Sequence, residues 1–201
     1  MAILICIEGI DTAGKSTQIS MLRDKLEKEG LKVNTVHFPR YHAPIGNLIS
    51  SVLNRSIPMD KGALQLLYIA DFYDAKQKLT EMAMEYDVVI LDRYYYSTIA
   101  YGKAGKALSV DNITRNIVDL YEPSVTIILD LPAEEVARRK EQLDLHESNV
   151  GFLKDIREAY KSIKDMQSFV GHNIKYIDAM KSKEEISNII YEEVRKRTWE
   201  I

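Results

Sequence analysis

The sequence predicts a three-layer α/β fold: a five-stranded parallel sheet with helices on both faces. Three observations predict it. Short β-branched apolar runs recur between longer amphipathic stretches. The runs are mostly apolar throughout rather than alternating, which is how strands read when helices cover both faces. Gly and Pro fall between the segments, where punctuation belongs.

Taken in order, the expected strands are Ile3 to Ile7, Lys32 to His37, Val88 to Leu91, Thr126 to Leu129 and Ile174 to Ile177. The expected helices are Lys15–Glu29, Ile45–Leu53, Lys61–Glu85, Val110–Tyr121, Ala133–Gln142, Val150–Phe169 and Lys183–Arg197. Met21, Leu22 and Leu26 share one face of the first helix, and Gly30 ends it. Pro123 separates a helix from the fourth strand, and Pro132 sits just after that strand at a helix start. Tyr94-Tyr95-Tyr96 reads as an aromatic triplet split between core and rim. Right-handed crossovers would gather ligands at the carboxyl ends of the strands.

The chain has 201 residues, 46% of them hydrophobic, enough for one substantial core and a single domain over 1–201. The stretch at about 138–150 is polar and weakly periodic in its second half, and reads as a surface lid. The formal charge is −3 with Lys and Arg scattered, which argues against a nucleic-acid partner and for a small anion held by a few placed cations. Cys6 lies mid-strand and reads as a small core hydrophobe. No apolar run is long enough for a membrane span, and the first strand begins at once, so a cytoplasmic location is expected. His37, His42, His146 and His172 lack the spacing and company of zinc ligands.

The run Gly9-Ile10-Asp11-Thr12-Ala13-Gly14-Lys15-Ser16 matches the phosphate-binding P-loop at every fixed position, and it stands between a strand and a helix as that loop must. Its backbone amides cradle phosphates, Lys15 reaches the β- and γ-phosphates, and Ser16 offers a hydroxyl to Mg²⁺; Thr17 follows at the helix start. The fold is thereby narrowed to the three-layer P-loop NTPase class. Asp92 and Arg93 end the third strand, beside the loop; the carboxylate can hold Mg²⁺ directly or through water, and the guanidinium can fork onto phosphate. Phe38-Pro39-Arg40-Tyr41 ends the second strand with another cation. Two phosphate sites suit phosphoryl transfer between two nucleotides.

These residues resemble the thymidylate kinase family. Glu8-Gly9-Ile10-Asp11-Thr12-Ala13-Gly14-Lys15-Ser16-Thr17 is similar to that family's E-G-x-D-x-x-G-K-[ST]-T, Phe38-Pro39-Arg40 to its F-P-[RE], and Asp92-Arg93-Tyr94 with Ser97, Ala100 and Tyr101 to its D-R-Y-x-x-S-x-x-A-Y. The resemblance implies an ATP-dependent transfer of the γ-phosphoryl to dTMP, giving dTDP, with Mg²⁺ as cofactor, in a homodimer. It implies that Asp11 addresses the acceptor's 3′-hydroxyl, Arg40 and Arg93 grip its phosphate with Tyr41 assisting, Tyr101 lies against the 2′ position, and Tyr68 stacks on thymine. Phe38, Phe72, Ser97 and Thr98 complete the expected acceptor site. Asp178 and Ala179 end the fifth strand, where the family's adenine loop lies.

Two departures stand out. The family follows its stacking aromatic with [ND]-R, whose guanidinium donates to the base carbonyl; here the pair is Asp71-Phe72, so the base-reading Arg is absent. Another group, with Thr98 and Asp71 as candidates, reads the base, or the acceptor is less strictly dTMP. The P-loop also carries Thr12 where some members place an Arg, so Arg138 or Arg139, entering the lid, is expected to neutralise the transferring phosphoryl. Alternatives are a broader (deoxy)nucleoside-monophosphate kinase and a nucleotide-binding regulatory protein without transfer. A deoxynucleoside kinase, needing one phosphate grip and a general base, fits Arg40 with Arg93 less well.

Overall fold

The computed structural model describes residues 2–141, 150–166 and 173–198. Strands β1 (Ile3–Gly9), β2 (Val33–His37), β3 (Val88–Asp92), β4 (Val125–Asp130) and β5 (Ile174–Asp178) form one sheet in the order β2-β3-β1-β4-β5. Every neighbouring pair is parallel. The β1, β3 and β4 side chains are almost wholly buried, which explains why they read as continuous apolar runs. The connections leaving β1 and β3 run in opposite directions across the sheet, so the crevice at their carboxyl ends is where such a sheet receives ligands.

The helices are α1 (Lys15–Lys28), α2 (Pro44–Leu53), α3 (Lys61–Asp74), α4 (Lys76–Glu85), α5 (Tyr95–Gly105), α6 (Val110–Arg115), α7 (Ala133–Glu141), α8 (Val150–Ser162) and α9 (Lys183–Thr198). Helix α1 packs beside α9 against one face of the sheet, while α5 packs against α8, α3 and α6. The expected architecture is therefore present.

Four expectations need correction. The segment 61–85 is two helices, because Ala75 both closes α3 and opens α4. The segment 110–121 is helical only to Arg115; beyond it Asn116, Ile117 and Leu120 donate to carbonyls three residues back, a tighter winding. The segment 150–169 is helical to Ser162 and continues as a 3₁₀ turn over Ile163–Asp165. Helix α5 was not among the expected helices. Tyr95, Tyr96, Thr98, Ile99, Ala100 and Gly102 are all buried, so α5 lacks the polar stripe that marks a surface helix. Most of the expected lid, 142–149, lies outside the described residues, as does His172.

Candidate active site

The P-loop leaves β1 and turns into α1 at Gly14, whose φ of 95° lies in the left-handed region that a side chain disfavours. Two non-glycine residues of the site share that region, Thr12 at 62° and Arg93 at 68°. Each costs about 1 kcal/mol, and both stand where β1 and β3 deliver the loop and its cation. Arg93 is held by its own N–H, which donates to the Ile7 carbonyl at 3.0 Å.

The cations converge on the loop. Lys15 Nζ donates to the carbonyls of Gly9 at 3.2 Å and Ile10 at 3.1 Å. Arg93 Nη1 donates to the same Gly9 oxygen at 3.0 Å and to Ser97 Oγ at 3.2 Å, while Nη2 reaches Asp11 Oδ1 at 2.6 Å. Its guanidinium lies 5.7 Å from the centre of the Tyr101 ring. Burial, with the neighbouring Arg93, pushes the Lys15 ammonium down to about 8, against the opposing pull of Asp11, Asp92 and Glu8.

Asp92 ends β3. One oxygen, Oδ2, lies 3.0 Å from His37 Nδ1, a pairing the sequence did not suggest, and the other, Oδ1, is buried with no hydrogen-bond partner. Burial alone would raise this carboxyl, but His37, Lys15 and Arg93 together hold it below the usual range. Ser16 follows Lys15 in the first turn of α1.

A cavity of about 460 Å³ opens beside the loop. Asp11, Tyr41, Tyr68, Arg93, Ser97, Thr98 and Tyr101 line it, as expected for acceptor residues, and so do Pro39, Leu64, Gln65 and Phe152. Burial is the main cause that raises the Tyr68 and Tyr101 phenols to about 12, so both stay neutral.

Three expected acceptor residues do not line it. Phe38 and Phe72 are buried with Tyr94 in an aromatic cluster, with ring centroids 5.0–5.5 Å apart. Arg40 is turned into α3, where Nε and Nη2 grip Asp71 Oδ1 at 3.0 and 2.8 Å and Nη2 meets Asp74 Oδ2 at 2.5 Å. Asp71 also accepts the Arg40 N–H at 2.8 Å. Fully buried and so engaged, Asp71 anchors a loop and does not face the base.

The two lid-entry arginines differ. Arg139 Nη1 donates to the Thr12 carbonyl of the P-loop at 2.9 Å, and Nη2 reaches the Ala179 carbonyl at 3.4 Å, tying α7 to both the loop and the end of β5. Arg138 pairs with Glu135 at 2.7 Å, and its side chain is 66% exposed. Asp178 accepts the Met180 N–H at 2.9 Å.

Nothing in the linear sequence gives Glu8 a role of its own. Its fully buried carboxylate accepts from Tyr94 N at 2.8 Å, Ser97 N at 3.1 Å, Ser97 Oγ at 2.6 Å and Tyr160 OH at 2.9 Å. It caps α5 from another strand, so β1 fixes the helix that carries Ser97, Thr98 and Tyr101. Gln65 was missed too, since nothing in its local pattern separates it from a polar helix position.

The family model for thymidylate kinase matches residues 7–190. The chain belongs to the thymidylate kinase family. It is a phosphotransferase of the kind that moves the γ-phosphoryl of ATP to dTMP. The thymidylate kinase of Halothermothrix orenii is 33% identical over 205 residues, covering 96% of both chains. The human thymidylate kinase is 28% identical, covering 96% of this chain and 87% of its own. Among solved structures, thymidylate kinase from Candida albicans superposes with a TM-score of 0.81 at 27% identity, covering 98% of this chain and 92% of that one. That structure is described as revealing the origin of a broad substrate specificity.

Proposed function

We propose that this chain transfers the γ-phosphoryl in line, from ATP on the loop Gly9 to Thr17 to the 5′-phosphate of a pyrimidine deoxynucleotide in the 460 Å³ cavity. The observation that carries this reading is the shared Gly9 oxygen: Lys15 from the P-loop side and Arg93 from the cavity side both donate to it. The two phosphates would therefore meet between two fixed cations. Tyr41 and Arg93 grip the acceptor phosphate, Tyr68 stacks on its base, Asp11 takes the 3′-hydroxyl, and Tyr101 closes the 2′ side. The acceptor phosphate is already anionic, so positioning and charge stabilisation suffice and no general base is needed. Arg139 supplies the third cation. Asp178 and Ala179 border the adenine.

Ser16 and Asp92 suit Mg²⁺, the orphaned Asp92 Oδ1 being an oxygen with no other partner. Held by Ser16 and Asp92, the ion would supply positive charge that offsets the charge on the phosphates. Because Phe72 is in the core and no guanidinium reaches the base from that position, base selectivity is relaxed. Among the described residues no helix is long and apolar enough to cross a membrane. Leu66 and Tyr73 of α3 are exposed, in keeping with a homodimer, which sedimentation of the purified chain tests.

Incubating the protein with Mg-ATP and each nucleoside and deoxynucleoside monophosphate, plus thymidine, and measuring ADP and product tests the whole reading. Turnover with dTMP is expected; none on any acceptor refutes transfer. A preference for dTMP above about a thousandfold, roughly 4 kcal/mol, refutes relaxed selectivity.

A further inference from the structure

Two buried polar side chains line the acceptor cavity, Gln65 and Thr98. Among the described residues, Gln65 is the cavity-lining side chain with a buried atom that has no hydrogen-bond partner, its Oε1. It is 7% exposed. A buried amide oxygen without a donor is rare in folded proteins, and it is explained where a ligand supplies the donor once a turn about χ3 brings this oxygen, which the packing closes off, to the cavity.

The position fits that explanation. Gln65 and Tyr68 are three residues apart on α3, hence on one face, and both line the cavity. The Gln65 side chain lies against α5 at Gly102, where a Cβ would come within 3.3 Å of Oε1 and 2.6 Å of Ile113 Cδ1. A residue larger than glycine there would crowd the amide.

We propose that Gln65 reads the base of the acceptor in place of the absent arginine, and that its two-sided amide is what admits more than one pyrimidine. This rests on the acceptor site assigned above, with the base against Tyr68. Thymine and uracil present N3–H, a donor, beside C4=O, an acceptor. A carboxamide matches both at once: Oε1 accepts from N3–H, and Nε2 donates to O4. Cytosine presents the reverse at the same atoms, N3 as acceptor and N4–H₂ as donor. Turning the terminal amide by half a revolution about χ3 supplies that complement, and this torsion is soft. No hydrogen bond from the protein holds Oε1 in one orientation. An arginine at the base, being donor-only, fits O4 and opposes N4–H₂. The exchange of reader therefore changes which bases fit, and the C5-methyl group is not what Gln65 senses.

The test is kcat/KM for dTMP, dUMP and dCMP in the wild type, Gln65→Met and Gln65→Lys. Gln65→Met keeps length and removes both polar atoms; the KM for dTMP and dCMP should each rise about tenfold or more, with the KM for ATP unmoved. Gln65→Lys offers donors only, so the ratio of dTMP to dCMP should rise about tenfold over the wild type. A purely structural role for Gln65 would not change that ratio. Pyrimidine KM values within twofold of wild type in Gln65→Met, or an unchanged ratio in Gln65→Lys, overturn the proposal. Should neither variant fold, the wild-type ratio decides: below about a thousandfold it supports a two-sided reader, above it refutes one. A wild type inactive on dTMP fails the acceptor assignment and this proposal together, whereas normal dTMP turnover with unresponsive variants fails Gln65 alone.

Discussion

Replacing Lys15 by methionine should abolish turnover and, at neutral pH, stabilise the protein. The Lys15 ammonium is buried and falls from its ordinary 10.5 to about 8. At 1.36 kcal/mol per pKa unit, keeping it charged costs the fold about 3 kcal/mol. Methionine removes that cost but leaves the Gly9 and Ile10 carbonyls without their donor, a loss of about 1 kcal/mol each. A net gain of about 1 kcal/mol remains, and for a chain of this size it raises Tm by about 2–4 °C. The pH dependence identifies the cause. Between pH 8 and 10.5 the unfolded chain holds the lysine proton and the folded one releases it, so wild-type stability contributed by this group rises with pH across that window. The advantage of Lys15→Met should therefore be full below pH 8, shrink above it and reverse by about pH 10.5. Thermal melts of both proteins over this range, with and without ATP, make the comparison, and ATP should stabilise the wild type more. A variant that melts below the wild type at pH 7, or a gap that stays constant with pH, refutes the reasoning.

Gly46→Ala should loosen the acceptor loop, because a Cβ there would lie 2.0 Å from the Arg40 carbonyl oxygen and 2.8 Å from Tyr41 N. We expect at least about 2 kcal/mol lost in urea unfolding and a raised KM for dTMP with a smaller effect on ATP. Arg139→Ala should lower kcat about a hundredfold, and Arg138→Ala far less, since only Arg139 touches the P-loop; equal losses in single-turnover assays would refute this choice. Glu8→Ala leaves two amides and two hydroxyls without their acceptor and should cost about 3 kcal/mol or more, while Glu8→Gln should cost less. Burial is the main cause that raises the Glu8 carboxyl above 4.5, so the folded state holds its proton more tightly and this contribution to stability declines as pH rises above that value. Glu8→Gln should flatten that part of the pH profile.

The sheet was legible because its three central strands are apolar on both faces and its helices are separated by Gly and Pro. The P-loop and Asp92-Arg93 were legible because backbone geometry ties them to the end of a strand, which a linear motif preserves. Helix α5 was not. It has no polar stripe, and its cap is the Glu8 carboxylate, 86 residues from Tyr94 in sequence. Neither was the turning of Arg40, since its partners Asp71 and Asp74 lie 31 and 34 residues away on another helix. Phe72 illustrates the same limit: the sequence shows that an arginine is missing, but only the packing with Phe38 and Tyr94 shows that the replacement belongs to the core. The loss of one reader was visible in one dimension; Gln65, which fills its role, became visible only with α5 laid against it.

What separates the cations assigned to transfer from those that hold the fold is the charge of their partners. Arg40 meets two carboxylates, one of them fully buried, and its charge is spent within the protein. Lys15 instead rests on neutral carbonyl oxygens of the P-loop. Arg139 adds the Thr12 and Ala179 carbonyls, and it shares Glu135 with Arg138, so that pair of arginines retains one net positive charge. Arg93 divides its guanidinium between the Gly9 carbonyl, Ser97 and Asp11, whose side chain is 57% exposed and therefore the more screened by solvent. A carbonyl orients a cation without cancelling its field, whereas a buried carboxylate does both. The main chain of a single loop thus holds three cations drawn from α1, the end of β3 and α7, and on the proposed assignment their charge stays available to phosphate. This is the preorganised electrostatics that phosphoryl transfer requires.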